Sequence, residues 1–453
     1  MAAGGALGLA LLAAPQAVAT GGTPTTPTEL FNGYRACSTD PAAPAYLSGN
    51  GGVELEGIPA LIGDEGMPTV TATEEFQVHP VADPARVTSL ILGTAVLGNE
   101  GWVTVPVSAL TDGQAYAWQA RTVAGTAASD WSAPCYFVAD NTRPSTPPAV
   151  TSDNYPQDQI SDGGDPVRFT FDANGVDDVE GYEFAWQDPL PVHVVGFGEH
   201  AVPQPSDPYA DSRYYVRADH LGGSATVSLI PPAGFGPVTL HVVSLDRAGT
   251  RSFDEATYGF RLTSQVPTVT PPANPAFDEP ATFRFTPNAQ LQAKSPTVSY
   301  TVRTLGGQHD QTVEVPADED GSARITLKLD GIYGEEDVLV SSTSANGWVS
   351  DEGGWSGSFD TETTVTSDVY PEDASGGGVG VPGAFTFTPK VPHVVSYTYS
   401  FNYGEPVTVK AGLGHAARVT WTPEESGFTS LTVDATLADG TQLATRYYYF
   451  TVN

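Results

Sequence analysis

A stretch from Val150 to Gln187, VTSDNYPQDQISDGGDPVRFTFDANGVDDVEGYEFAWQ, returns from Val365 to Asn402 as VTSDVYPEDASGGGVGVPGAFTFTPKVPHVVSYTYSFN. The shared frame is Val-Thr-Ser-Asp-x-Tyr-Pro, a Gly-rich acidic link, Phe-Thr-Phe, then an alternating aromatic run. A looser copy opens at Val266 (VPTVTPPANPAFDEPATFRFTPN) and continues into Val298-Ser-Tyr-Thr-Val-Arg. Self-similarity in fixed order marks a repeated structural unit and constrains the fold more than any local motif. The period is ~100 residues, too long for a solenoid turn and right for a whole β-sandwich. The 48 Gly and 38 Pro are spread between short apolar runs without a collagen-like period, so they read as turn punctuation. No helical stripe of apolar residues is sustained beyond two turns. The expectation is an all-β chain of four tandem β-sandwiches.

Residues 1–19 have the features of a signal peptide: Ala6–Ala14 is apolar, and Ala17-Val18-Ala19 fits the small-residue cleavage pattern. No Lys or Arg precedes Arg35, so the basic leader is missing and the natural start is expected to lie elsewhere. The apolar run is too short to span a bilayer and no longer one follows, which predicts no membrane insertion. A Thr/Pro/Gly linker is expected at 20–27, then domains at 28–144, 145–264, 265–362 and 363–453, the second carrying an aperiodic insertion at 188–211. Pro41–Met67 shows no clean strands, so the first half of the first domain is the least regular part. The only cysteines, Cys37 and Cys135, read as a disulfide of an exported chain.

In the first domain, Leu110-Thr-Asp-Gly-Gln-Ala-Tyr116-Ala-Trp118-Gln-Ala120 is followed by Ser129-Asp-Trp131-Ser. This hairpin resembles the fibronectin type III fold, which implies that the Tyr116 hydroxyl ties back to the corner before its strand. The Val-Thr-Ser-x-x-Tyr-Pro and Phe-Thr-Phe frame resembles the immunoglobulin-like modules of large secreted, actinobacterial-type surface proteins. That resemblance implies a non-enzymatic extracellular protein with an adhesion, spacer or scaffold role.

The net charge of −34, from 53 acidic and 19 basic side chains, repels phosphate backbones and anionic bilayers. No basic cluster overrides it, so nucleic acid is excluded as a partner. The chain is expected to be a monomer whose partner is an extracellular protein or polysaccharide. No cofactor or metal is expected, with one opening left. The acidic turns at Asp318–Asp320 and Ser350–Glu352 supply oxygen ligands for calcium at an interdomain joint.

Two other chemistries deserve weighing. Sugar-binding sandwiches present flat aromatic faces, and Trp348, Trp355 and Tyr333 sit among turn residues where such a platform would lie. Trp118 and Trp186 fall within strand alternation and read as core. A hydrolase would draw on the cluster His193, Glu199, His200, Asp207, Asp211, Asp219 and His220, whose spacing matches no zinc site and reads as a solvated loop. No G-x-S-x-G elbow occurs, the nearest being Gly354-Trp-Ser-Gly357. Asp177-Asp178 has no acidic counterpart in the fourth domain, where Pro389-Lys-Val-Pro-His-Val stands, so it reads as a polar turn. Tandem sandwiches are expected to leave no deep polar pocket.

Overall fold

The computed structural model describes residues 22–62, 71–332 and 335–453, so segment 1–19, expected to be a signal peptide, lies outside the described residues. The first sandwich contains β1 (Thr23–Asn32), β2 (Arg35–Ala36), β3 (Ala45–Leu47), β4 (Val53–Ile62), β5 (Thr71–Pro80), β6 (Thr88–Val96), β7 (Gly101–Val105), β8 (Ala115–Ala124), β9 (Ala127–Ala128) and β10 (Cys135–Ala139). One sheet is ordered β2-β1-β4-β7 and the other β3-β10-β8-β5-β6, with β9 on β8. Strand β1 begins inside the segment expected to be a linker. Strand β4 occupies ten residues of the stretch where no clean strand was expected. The apolar alternation is hidden there because Glu56 and Gly57 interrupt it, yet both are buried.

The corner implied by the fibronectin resemblance is present. The Thr111 N–H donates to the Tyr116 hydroxyl at 2.7 Å, and that hydroxyl donates to Ala109 O at 3.3 Å. Trp118 is fully buried beneath it, its indole N–H on Asn32 Oδ1. Cys37 and Cys135 form the expected disulfide, with Cα atoms 5.2 Å apart across a sequence separation of 98. Closing a loop of that length stabilises a fold by about 4–5 kcal/mol in chain-entropy terms.

The second sandwich contains β11 (Ala149–Ser152), β12 (Ile160–Ser161), β13 (Val167–Asp172), β14 (Val179–Ala185), β15 (Gly196–Phe197), β16 (Pro203–Gln204), β17 (Tyr215–Arg217), β18 (Ser224–Leu229), β19 (Gly236–Asp246) and β20 (Ala256–Leu262). Its sheets are β11-β13-β18 and β12-β20-β19-β14-β17, while β15 and β16 pair with each other inside the insertion. The third sandwich sets strands Thr268–Thr270, Pro280–Thr286 and Ala323–Lys328 against Thr312–Pro316, Thr297–Leu305, Glu335–Ser344 and Gly353–Ser358. The fourth sets Thr364–Thr366, Gly383–Thr388 and Ala417–Trp421 against a sheet centred on Val394–Phe401 and Gly427–Leu437. A single α-helix occurs among the described residues, Ala289–Lys294, capped by the Asn288 side chain.

By contacts the chain divides into two compact units. One holds the residues up to Gln159 together with 167–229 and 238–260. The other holds 160–166, 230–237 and everything from Arg261 on.

The repeat frame has a physical cause. Phe169 and Phe171, then Phe385 and Phe387, point inward on alternate positions and are buried, as a strand over a core requires. The motif serine caps the tyrosine that follows it: Ser152 Oγ accepts the Tyr155 N–H and Ser367 Oγ the Tyr370 N–H, each at 3.2 Å. The buried Tyr155 and Tyr370 then offer their carbonyls to a last-strand phenol. Tyr258 and Tyr448 donate to them, each at 2.8 Å. A second tie crosses each later sandwich, where Tyr182 donates to Gly223 O, Tyr300 to Gly321 O and Tyr397 to His415 O. These buried hydroxyls are satisfied by turn carbonyls.

The third copy lacks the motif tyrosine: Val269 pairs with Phe285 as Val150 does with Phe171, and Asn274 stands five residues on where the tyrosine would be. Phe277, three residues later, packs edge-on against Phe359. Phe277 and Ile332 belong to the same apolar cluster as the core of the fourth sandwich. Each bead is therefore not closed on itself at that junction. Substituting Tyr258→Phe or Tyr448→Phe leaves a buried carbonyl unpaired, at a cost of about 1–3 kcal/mol each. Urea unfolding midpoints should fall accordingly, whereas exposed Tyr447→Phe should leave them unchanged.

Candidate functional site

The expected absence of a deep polar pocket is overturned within the first unit. The insertion folds over a cleft of 790 Å³ whose walls include His193, Tyr209, Tyr215, Arg35, Glu183 and Arg251. It forms because β14 and β17 carry polar side chains on the face that the insertion covers. Glu183 is almost completely buried and is held by Arg251 in a bidentate pair, at 2.6 and 2.7 Å. Arg251 also donates to Pro191 O at 2.6 Å, and the Tyr215 hydroxyl donates to Glu183 Oε1 at 3.1 Å. Burial, then the Glu183 charge, pushes the Tyr215 phenol up to about 12.

Nearer the mouth, Arg217 pairs with Glu180 and Asp207 and lies 4.2 Å over the Tyr209 ring. Gly181 presses on that same ring, since a Cβ there would stand 2.5 Å from it. Arg35 donates to the carbonyls of Arg247 and Ala248 at 3.1 and 2.8 Å. The cleft thus holds three guanidinium groups, of Arg35, Arg217 and Arg251, and three carboxylates, of Glu180, Glu183 and Asp207. In a chain of −34 the cleft is locally neutral.

The residues that a hydrolase would draw on are dispersed. His193 Nε2 meets Ser206, whose backbone O lies at 3.1 Å and Oγ at 3.3 Å. Asp211 pairs with its neighbour Arg213, and Asp219 with exposed His220. Glu199 opens a short 3-10 turn, and the His200 side chain lies outside what is described. Asp177 points to solvent. Among the described residues no group of three or more His, Cys, Asp or Glu is arranged to hold a metal ion.

The acidic turns are engaged elsewhere. Asp320 accepts from Ser322, Asp351 accepts the Gln265 N–H, and Glu352 pairs with Arg303. Beside the first two sandwiches' shared joint, Arg247 stacks 3.8 Å over Tyr46 and faces Asp140.

The aromatic platform is corrected. Trp348 is 2% exposed, its indole N–H on Gln265 Oε1 at 3.0 Å and its ring against Gly163. Asn346-Gly347 beside it signals an exposed turn, but Gln265, 83 residues away, covers the ring. Trp355 is half-buried against Phe283, and Tyr333 lies outside the described residues.

No family model and no curated protein matches the chain. Solved structures do. A tetra-tandem repeat from the extending region of a large adhesion protein is 14% identical, over 89% of this chain and 95% of that one, with a TM-score of 0.22. A Ca²⁺-stabilized adhesin that helps an Antarctic bacterium reach out and bind ice is 15% identical, over 96% and 100%, at 0.21. The FN1–FN3 domains of chicken CNTN1 are 10% identical, over 74% and 98%, at 0.20. Scores this low carry no inference about what this chain binds.

The sequence also concealed a buried carboxyl in the first sandwich. Ala72, Glu74, Phe76 and Val78 alternate, which places Glu74 on the inner face. That spacing was the available signal. Glu74 is 0% exposed, and neither carboxyl oxygen has a hydrogen-bond partner among the described residues. It fits only because Gly57 and Gly101 face it, where a Cβ would stand 2.8 and 2.5 Å from its oxygens. Burial pushes its pKa up to about 8. Glu56, buried beside Glu100, is also raised to about 8, chiefly by desolvation.

A carboxyl raised in the folded state is protonated there while its unfolded counterpart, near 4.5, is ionised. Its stabilising contribution is complete below that lower value and is lost as pH rises through about 8. The first sandwich should therefore melt at progressively lower temperature between pH 5 and 8. Glu74→Gln should flatten that slope and raise the melting temperature at the alkaline end. A melting temperature that climbs across the window would contradict the assignment.

Proposed function

We propose that this chain is a non-enzymatic, extracellular interaction protein, an adhesion or scaffold module built of tandem β-sandwiches. The observation that carries the reading is the internal neutralisation of its polar cleft. Arg251 on Glu183 and Arg217 on Glu180 and Asp207 leave none of the cleft's three carboxylates unpaired. A carboxylate that acts as general acid or base must be poised to exchange a proton with substrate, and each of these is held by a guanidinium instead. The cleft serves as mortar between insertion and sandwich. The extracellular part of the reading draws support from the Cys37–Cys135 bridge and from the apolar opening segment.

Removing one partner of a buried pair exposes this structural role. Arg251→Ala leaves Glu183 buried and uncompensated, at a cost of about 3 kcal/mol, which calorimetry should read as a lower melting temperature. A non-adherent bacterial strain displaying the full chain should attach to surfaces coated with extracellular protein or polysaccharide more than its parent does. Attachment equal to the parent's, or hydrolysis of chromogenic esters or glycosides that Glu183→Gln abolishes, would sink the reading.

A further inference from the structure

The first sandwich is open along one side. Strands β6 and β7 each stand at the end of their sheet, so each has an edge that pairs with no further strand among the described residues. Between them runs a trough of 910 Å³, walled by Leu90, Ile91, Leu92, Val96, Trp102 and Val103 and touched at one point by Ala201 of the insertion. On β5 the inward-facing Phe76 and Val78 are fully packed, whereas Leu90 and Leu92 on β6 are only half-buried. Ile91 is 62% exposed and Trp102 55%. Apolar surface of this extent beside an open edge marks an interaction site or an aggregation hazard.

Charge decides between occupants. Glu100 lines the trough, and no Lys or Arg does. A second copy of a chain carrying −34 would bring repulsion to an acidic groove. An occupant that is apolar, extended and cationic meets every feature at once.

We propose that the trough between β6 and β7 is the docking surface for an extended, apolar segment of a partner protein, carrying a Lys or Arg. The segment adds as a strand to the open edge, its main chain taking the free N–H and C=O groups. Its alternate side chains fill the gap between Leu92 and Trp102, and its cation sits over Glu100. This names the partner chemistry for the interaction role above and rests on that role. Loss of the trough signal with cell attachment retained would remove this proposal alone.

The test is a fluorescence-anisotropy titration of the full, disulfide-intact chain with a short labelled peptide alternating Val and Thr around a central Lys. Saturable binding is expected, weakened about tenfold when Glu replaces the Lys and weakened further by added salt. Glu100→Gln should cost a similar factor. Trp102→Ala and Ile91→Ser, both at exposed positions, should each weaken binding about fivefold, with the melting temperature unchanged. Three results would overturn the proposal: no saturation up to millimolar peptide, equal affinity for the Lys and Glu peptides, or affinity untouched by both apolar variants. A dimer in sedimentation velocity that Trp102→Ala dissociates would also overturn it, since the occupant would then be a second copy.

Discussion

A buried phenol is useful to a core only if its hydroxyl finds an acceptor, because an unpaired one costs about 1–3 kcal/mol. This chain meets that demand repeatedly with a backbone carbonyl in a turn. Tyr182, Tyr300 and Tyr397 each span a sandwich to reach a carbonyl just before the next strand, and Tyr258 and Tyr448 reach the motif tyrosine. The first sandwich uses Tyr116 in the same way at its own corner. Each tie fixes a turn against a strand and so sets the register of the sheets around it. Low dielectric inside the core strengthens these bonds and makes their loss expensive.

With cores closed in this way, the polar chemistry is pushed to joints and edges. Guanidinium groups are scarce, and those of Arg35, Arg217, Arg247 and Arg251 gather around the first two sandwiches, where they neutralise acids or cap carbonyls. Elsewhere in the second unit the same economy appears as Lys294 on Asp165 and Arg446 on Glu362 and Glu372. The exception is the Glu56, Glu74 and Glu100 group, which pairs with no cation among the described residues. Burial without a cation keeps Glu56 and Glu74 protonated, which ties the stability of the first sandwich to pH.

Much of the fold was legible because burial follows alternation. Phe169, Phe171, Phe385 and Phe387 announce their strands, and the turn glycines Gly321, Gly347 and Gly440 adopt the positive φ that the sequence suggests. What stayed hidden depends on partners distant in sequence. Nothing near Trp348 reveals that Gln265 and Gly163 cover it, and nothing in the insertion's irregular sequence reveals that it roofs Glu183. The burial of Glu56 and Glu74 stayed hidden for a different reason, since an acid is almost never fully buried unless it is paired. Phe277 shows the limit of reading repeats as separate beads, because it serves the neighbouring core as well as its own sandwich.

The central claim is that tyrosine-to-carbonyl ties hold each sandwich together locally. Hydrogen–deuterium exchange on the full chain carrying Tyr300→Phe tests it most directly. The account predicts faster exchange in the turn at Gly321 and in strands Thr297–Leu305 and Ala323–Lys328, with Ala115–Ala124 of the first sandwich unchanged. Unaltered protection around Gly321, or a loss spread equally through the first sandwich, would contradict it.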